Sequence, residues 1–167
     1  MPAWVLTVLL LAVMLVEYRK TAASLVEIWS RSGTFSHGFL IVPITLVLLW
    51  KRREALSQVP IRPAPWSGAG LIAAAGFLWY LSLEVGALIG AQLALVIMVP
   101  GIVAAVWGWP TVRAAAFPLA YLVFAVPMGE SLVPPLMDFT ANFTVTALQL
   151  TGIPVYQEGT YFELPTG

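Results

Sequence analysis

Residues 87–107 read ALIGAQLALVIMVPGIVAAVW, twenty-one positions without a charged side chain. A helix of that length rises about 1.5 Å per residue and covers the ~30 Å hydrocarbon core of a bilayer. It contains Gln92, Pro100 and Gly101 and closes on the turn Trp107-Gly108-Trp109-Pro110. Trp at a run end suits the membrane–water interface. Upstream, residues 66–84 form another apolar run. In it Gly68, Gly70, Ala73, Ala74, Ala75 and Gly76 predict a small-residue face for close helix packing. Downstream, residues 112–128 form a third, broken by Pro118 and Pro127.

Two more runs precede these. Residues 39–50 end on the basic cluster Lys51-Arg52-Arg53 and contain Pro43, which should kink a helix. Residues 2–18 are just long enough to cross. They lack the basic n-region and small-residue cleavage site of a secretory signal, so a retained first span is expected. Between these two runs, residues 19–36 place Leu25, Ile28 and Trp29 at helical spacing among Lys20, Glu27 and Arg31, the pattern of a short amphipathic helix lying at the interface. Residues 54–65, with Pro60, Pro63 and Pro65, read as a polar loop.

Composition agrees. The chain is 60% hydrophobic and 10% charged, with a mean hydropathy of +0.90, whereas soluble domains carry about 25% charged residues. Eight basic and eight acidic residues cancel, which leaves no electrostatic case for a nucleic-acid partner. The absence of cysteine excludes disulfides, thiolate metal sites and a cysteine nucleophile within these 167 residues. No phosphate-binding glycine loop, metal-ligand spacing or serine elbow is present, so no cofactor and no metal is expected.

From Gly129 the character changes. Glu130, Pro134, Pro135 and Asp138 introduce residues 136–150, too polar for a plain span and suited to a re-entrant or interfacial helix. Gly152 should end it. Residues 153–157 and 160–164, separated by Glu158-Gly159, predict a β-hairpin. The expected fold is therefore an all-α polytopic membrane protein. It has five to six transmembrane helices and a short extracytoplasmic hairpin, within one integral membrane domain over 1–167.

Alternating the runs across a bilayer gathers Lys51, Arg52, Arg53, Arg62 and Arg113 on one side against Arg19, Lys20 and Arg31 on the other. The positive-inside rule then puts the N-terminus in the cytoplasm and the residues after Met128 outside.

Polar candidates are few. His37, the single histidine, is either a hydrogen-bonded boundary residue or an acid–base or ligating group on the outer face. Glu84 and Gln92, near the turn between two runs, are expected to mark the outer interface; the alternative is an intramembrane site. Glu130 and Asp138 fit a solvated rim, or paired carboxylates for hydrolysis. Leu164-Pro165-Thr166-Gly167 lacks the extra residue of a cell-wall sorting pentapeptide and is not read as one.

Three stretches together resemble the exosortase family, polytopic membrane enzymes that sort proteins bearing a PEP-CTERM tail in Gram-negative bacteria. The first is Ser36-His37-Gly38-Phe39-Leu40-Ile41-Val42-Pro43 with Leu49-Trp50-Lys51-Arg52-Arg53. The second is Phe117-Pro118-Leu119 with Phe124-Ala125-Val126-Pro127-Met128-Gly129-Glu130. The third is Leu150-Thr151-Gly152-Ile153-Pro154-Val155, Glu158-Gly159 and Leu164-Pro165. The likeness runs from about residue 30 to the end and is closest to the exosortase A branch.

The resemblance implies a cysteine peptidase or transpeptidase of the bacterial inner membrane that cleaves a substrate tail through a thioester. A Cys acts as nucleophile, and an Arg and a His support it. In the family that Cys follows the Leu-Pro turn and the Arg and His come later, so all three are expected beyond Gly167 and none is carried onto this chain. Alone, residues 1–167 are then expected to be inactive. The motif residues expected at the outer face are Ser36, His37, Gly38, Glu130, Glu158 and Gly159. Expected partners are membrane lipid and the C-terminal tails of exported proteins. Rival readings are a small transporter or channel subunit, with Pro43, Pro100 and Pro118 breaking helices along a path, and a non-enzymatic scaffold that binds through residues 66–84.

Overall fold

The computed structural model describes residues 2–129, 133–150, 156–158 and 161–163, the last two groups by backbone alone. The described chain falls into two compact units, 1–127 and 128–167.

The first unit is all-helical: α1 (Ala3–Glu17), α2 (Arg19–Arg31), α3 (Gly38–Lys51), α4 (Arg53–Ser57), α5 (Pro65–Glu84), α6 (Leu88–Trp107), α7 (Trp109–Ala114), α8 (Ala116–Tyr121) and a 3₁₀ turn, Leu122–Ala125. Two of these, α5 and α6, are long and apolar enough to cross a membrane; α1, α3 and the stretch Ala116–Ala125 are apolar but shorter. The region read from sequence as a plain polar loop contains the one-turn helix α4, and Pro65 is the first residue of α5, where a missing N–H costs nothing.

α5 and α6 form an antiparallel hairpin around Gly86. Its φ of +69° is the left-handed conformation that lets Ala87 N–H reach Ser82 O at 2.7 Å and close the end of α5. Their backbones nearly touch. A Cβ on Gly68 would lie 2.5 Å from Ala105 N, and one on Gly101 would lie 2.8 Å from Ile72 Cγ1. The small-residue face is narrower than the sequence reading had it. Gly68 and Ala75 are buried, but Ala73 and Ala74 are exposed and Gly70 faces open space. Steps of four and three from Gly68 reach Ile72 and Ala75, whereas 70, 73 and 74 lie around the far side.

α6 is the centre of the unit, with Gln92 and Met98 fully buried. The α1–α2 path runs antiparallel to it: Trp107 Nε1 donates to Thr7 Oγ1 at 2.8 Å near one end and Gln92 Nε2 donates to Ser24 Oγ at 3.0 Å near the other. The joint at Tyr18 keeps helical hydrogen bonds on both sides, to Met14 O and from Ala22 N–H. The short amphipathic helix expected within residues 19–36 is α2. α2 is amphipathic, but its stripe Thr21, Leu25 and Trp29 is buried within the protein, with Leu25 and Trp29 in the same core cluster as Met14, Ile41 and Met98.

Residues 109–125 are broken at Ala115, ahead of Pro118. Proline at 118 offers no N–H to Ala114 O and its ring crowds that carbonyl, and here the helix breaks. Pro43 and Pro100, by contrast, sit inside unbroken α3 and α6.

In the second unit α9 (Val133–Leu150) is followed by strands β1 (Tyr156–Glu158) and β2 (Tyr161–Glu163). They pair antiparallel as Tyr156↔Glu163, Gln157↔Phe162 and Glu158↔Tyr161. Glu158 is thus a paired strand residue rather than the first turn residue. Gly159 and the flanking residues 153–155, 160 and 164 lie outside the described residues.

Candidate functional site

The Ser36-His37-Gly38 stretch begins α3, and its glycine is a packing requirement. The Trp29 indole lies directly over Gly38, so that a Cβ there would collide with Trp29 Nε1, Cδ1 and Cε2. Seated there, Trp29 Nε1 donates to Ala125 O at 2.8 Å, a buried bond across ninety-six residues, and Phe39 packs edge-on against the indole at 5.4 Å. One tryptophan therefore ties α2, the start of α3 and the 3₁₀ turn together. Gly38 and Ala125 come from two separate stretches of the sequence motif, and the fold joins them through Trp29.

Ser36 and His37 sit on the exposed side of this lock. Ser36 Oγ donates to Gly33 O at 3.1 Å. His37 Nδ1 lies 2.9 Å from Thr34 O. A carbonyl can only accept, so this contact is a hydrogen bond when Nδ1 carries the proton, which leaves Nε2 as the acceptor of the neutral ring. Among the described residues the ion pairs are Arg31–Glu27 and Arg53–Glu54, and no carboxylate pairs with His37.

Beside Trp29 and Ala125 lies an apolar cavity of about 210 Å³. Its walls come from α1 (Met14, Leu15), α2 (Leu25, Val26), α3 (Val42), α6 (Val96, Val99) and the 3₁₀ turn (Leu122). No charged side chain lines it. The arrangement can hold an aliphatic chain and supplies no acid, base or nucleophile of its own.

A polar seam links α2, α5 and α6. Trp79 Nε1 donates to Thr21 Oγ1 at 2.9 Å, Ser24 Oγ donates to Thr21 O at 2.8 Å, and Gln92 Nε2 donates to Ser24 Oγ at 3.0 Å. Gln92 Oε1 has no partner. The sequence reading placed Gln92 at the outer interface; its full burial corrects that. Glu84, at the end of α5, is exposed. In the second unit Asp138 is exposed on α9, Glu158 stands opposite Tyr161, and Glu130 and Gly159 lie outside the described residues.

Sequence reasoning missed Trp29, Thr21 and Ser24 as bonding partners. Four indole N–H groups find an oxygen: Trp29 on Ala125 O, Trp79 on Thr21, Trp107 on Thr7 and Trp109 on Ser67. The available signal was the matching supply of Thr and Ser on α1, α2 and α5, since a buried indole needs an acceptor.

The family model for transmembrane exosortases matches residues 29–167. No curated protein and no solved structure matches the chain. The match begins at Trp29 and takes in Gly38 and Ala125, the three residues that the lock joins, and it spans most of the sequence: this chain belongs to the transmembrane exosortase family, a family of membrane cysteine transpeptidases.

Proposed function

We propose that these helices are the membrane-embedded, substrate-holding part of a machine that processes exported proteins bearing a C-terminal PEP-CTERM signal. The reaction would be cysteine peptidase or transpeptidase chemistry in the bacterial inner membrane. The observation that carries the reading is the apolar cavity beside the Trp29–Gly38–Ala125 lock. A membrane-inserted tail needs an apolar seat, and this one lies beside a sequence motif of the family. Residues 1–167 contain no cysteine, so the nucleophilic sulfur of such a reaction is not among them, and these residues alone are inactive without an acyl-accepting thiolate.

In this proposal five to six segments cross the bilayer. α5 and α6 do so as single helices, the α1–α2 path and α3 accompany them, the broken segment 109–125 adds a fifth, and α9 is the candidate sixth. The N-terminus is cytoplasmic, while Ser36, His37 and the β1–β2 hairpin face the outside. Nε2 of His37 is then available to accept a hydrogen bond from the polar part of a substrate as its tail enters.

The test is photocrosslinking in membranes. A photoreactive side chain at Val26 or Val42, both partly exposed on the cavity wall, should capture a reporter with a PEP-CTERM tail. The same probe at Phe77, exposed on α5 and absent from the cavity lining, should not. Capture at Phe77 with none at Val26 or Val42 would overturn the assignment.

A further inference from the structure

The basic end of the first unit carries a second apolar groove, separate from the cavity at Trp29. It has a volume of about 400 Å³ and is lined by Leu49, Leu56, Val103, Trp107 and Leu119, with Arg53 and Ser57 at its polar edge. That volume lies within the roughly 300–1,000 Å³ typical of small-ligand sites. Charge gathers around it. Arg53 lines it directly, Lys51 and Arg52 precede Arg53 in sequence, and Arg113 is on α7, two residues past the lining residue Thr111. The loop at Arg62 is tied to the end of α6 by Arg62 N–H donating to Trp107 O at 3.1 Å. Beside Arg53 stands Glu54, whose Oε1 is 3.6 Å from Arg53 Nη2, beyond a strong hydrogen bond.

Two of the cations are held in place. The Arg53 guanidinium sits 4.7 Å over the Trp50 ring and donates from Nη1 to Trp50 O at 3.1 Å. Arg52 donates from Nη1 to Ala114 O at 3.0 Å, bridging the end of α3 to the end of α7. A guanidinium has five N–H donors, so both retain free donors for an anion. Leu46, Val47, Trp50 and Phe117 are exposed apolar side chains on the helices that carry the groove, a surface suited to lipid.

We infer that this groove is a binding site for one anionic phospholipid, with an acyl chain against Leu49, Leu56, Val103 and Leu119 and the phosphate at Arg53. The pairing of an apolar trough with a fixed cationic edge selects an amphiphile with an anionic head. Basic pockets between transmembrane helices bind such headgroups through the same chemistry. A zwitterionic lipid can fill the trough, but its own cation offsets the attraction of the basic edge. The inference rests on this being a membrane protein and is independent of which substrate the family reaction takes.

Native mass spectrometry of the purified full chain in a neutral detergent tests it. Phosphatidylglycerol and phosphatidylcholine of identical acyl chains are titrated, with glycerol phosphate as a soluble competitor. A single phosphatidylglycerol adduct should form at about tenfold lower concentration than the phosphatidylcholine adduct, consistent with ~1.4 kcal/mol. R53Q should remove most of that preference, while R31Q, an exposed cation outside the groove, should retain it. L56W, which fills the trough, should weaken both adducts. Circular dichroism reports whether each variant is folded. Equal affinity for the two lipids, an equal loss in R31Q and R53Q, or displacement by glycerol phosphate at lipid-like concentrations would each overturn the inference.

Discussion

Arg52 Nη1 donates to Ala114 O at 3.0 Å, and Ala114 O is the carbonyl that Pro118, four residues on, cannot satisfy. In a continuous helix it would accept from the N–H of residue 118; proline has none, and the chain breaks at Ala115. The arginine therefore caps a carbonyl that a proline orphaned sixty-six positions after it in sequence. The basic cluster Lys51-Arg52-Arg53 supplies the donor for a broken helix. The two motif stretches that carry Arg52 and Pro118 are physically one device.

Replacing Arg52 by Met removes the donor but keeps an apolar stem. The bond is exposed, so the expected loss is about 0.5–1 kcal/mol. The informative measurement is a double-mutant cycle with P118A, which restores an N–H to residue 118. R52M should cost less in the P118A background than in the wild type, read by denaturant unfolding in detergent. Strict additivity would show that Arg52 does not serve the carbonyl that Pro118 leaves free.

Gly38→Ala should be among the most damaging single-methyl changes in the first unit. The added carbon overlaps the Trp29 indole, so the ring must leave its seat and abandon Ala125 O. Overpacking of this kind costs ~1–3 kcal/mol, and an unpartnered indole N–H adds about 1–3 kcal/mol. Trp29 fluorescence, isolated in a background with the other tryptophans replaced, should shift as the indole changes environment. An unshifted spectrum with wild-type stability would remove the lock from the account.

Gly68→Ala and Gly70→Ala make a matched pair on one helix. A Cβ at 68 lies 2.5 Å from backbone atom Ala105 N, which cannot swing aside, whereas a Cβ at 70 meets nothing within 4 Å. G68A should lower stability by about 1–3 kcal/mol, and G70A should leave it unchanged or raise it by ~0.5–1 kcal/mol through helix propensity. Thermal unfolding of the two variants decides the matter. Equal effects would mean that α5 does not face α6 as described.

Much of the helical order was legible because it follows from uninterrupted apolar length: residues 66–84 and 87–107 correspond to α5 and α6 within one residue at each start. Long runs also marked α1 and α3. What could not be read was anything set by a distant partner. The stripe on α2 looked like a lipid-facing surface because periodicity gives a face but not what covers it. Gln92 looked interfacial because it lies near a turn in sequence, yet one turn into α6 it is already enclosed by α2. Gly38 looked like part of an outer-face family motif, and only the position of Trp29 shows why a glycine stands there. The Ser36–His37 motif was visible; that its glycine serves packing while His37 stays exposed was not.

The polar seam of α2, α5 and α6 gives the last prediction, and it runs against intuition. Gln92 is fully buried, and its Oε1 has no partner. A buried carbonyl left unpaired costs about 1–3 kcal/mol, whereas removing a polar pair cleanly can be neutral. Gln92→Leu deletes the orphan and leaves Ser24 with its bond to Thr21 O, so stability should hold or rise. Thr21→Val does the opposite: Trp79 Nε1 loses its acceptor while remaining packed beside Tyr18, 4.9 Å between ring centres. That variant should lose ~1–3 kcal/mol. Both are read by thermal unfolding in the same detergent. If Q92L proves the more damaging of the two, Oε1 must be engaged by a group that the first unit alone does not supply, and the seam would have to be treated as a binding position instead of a structural one.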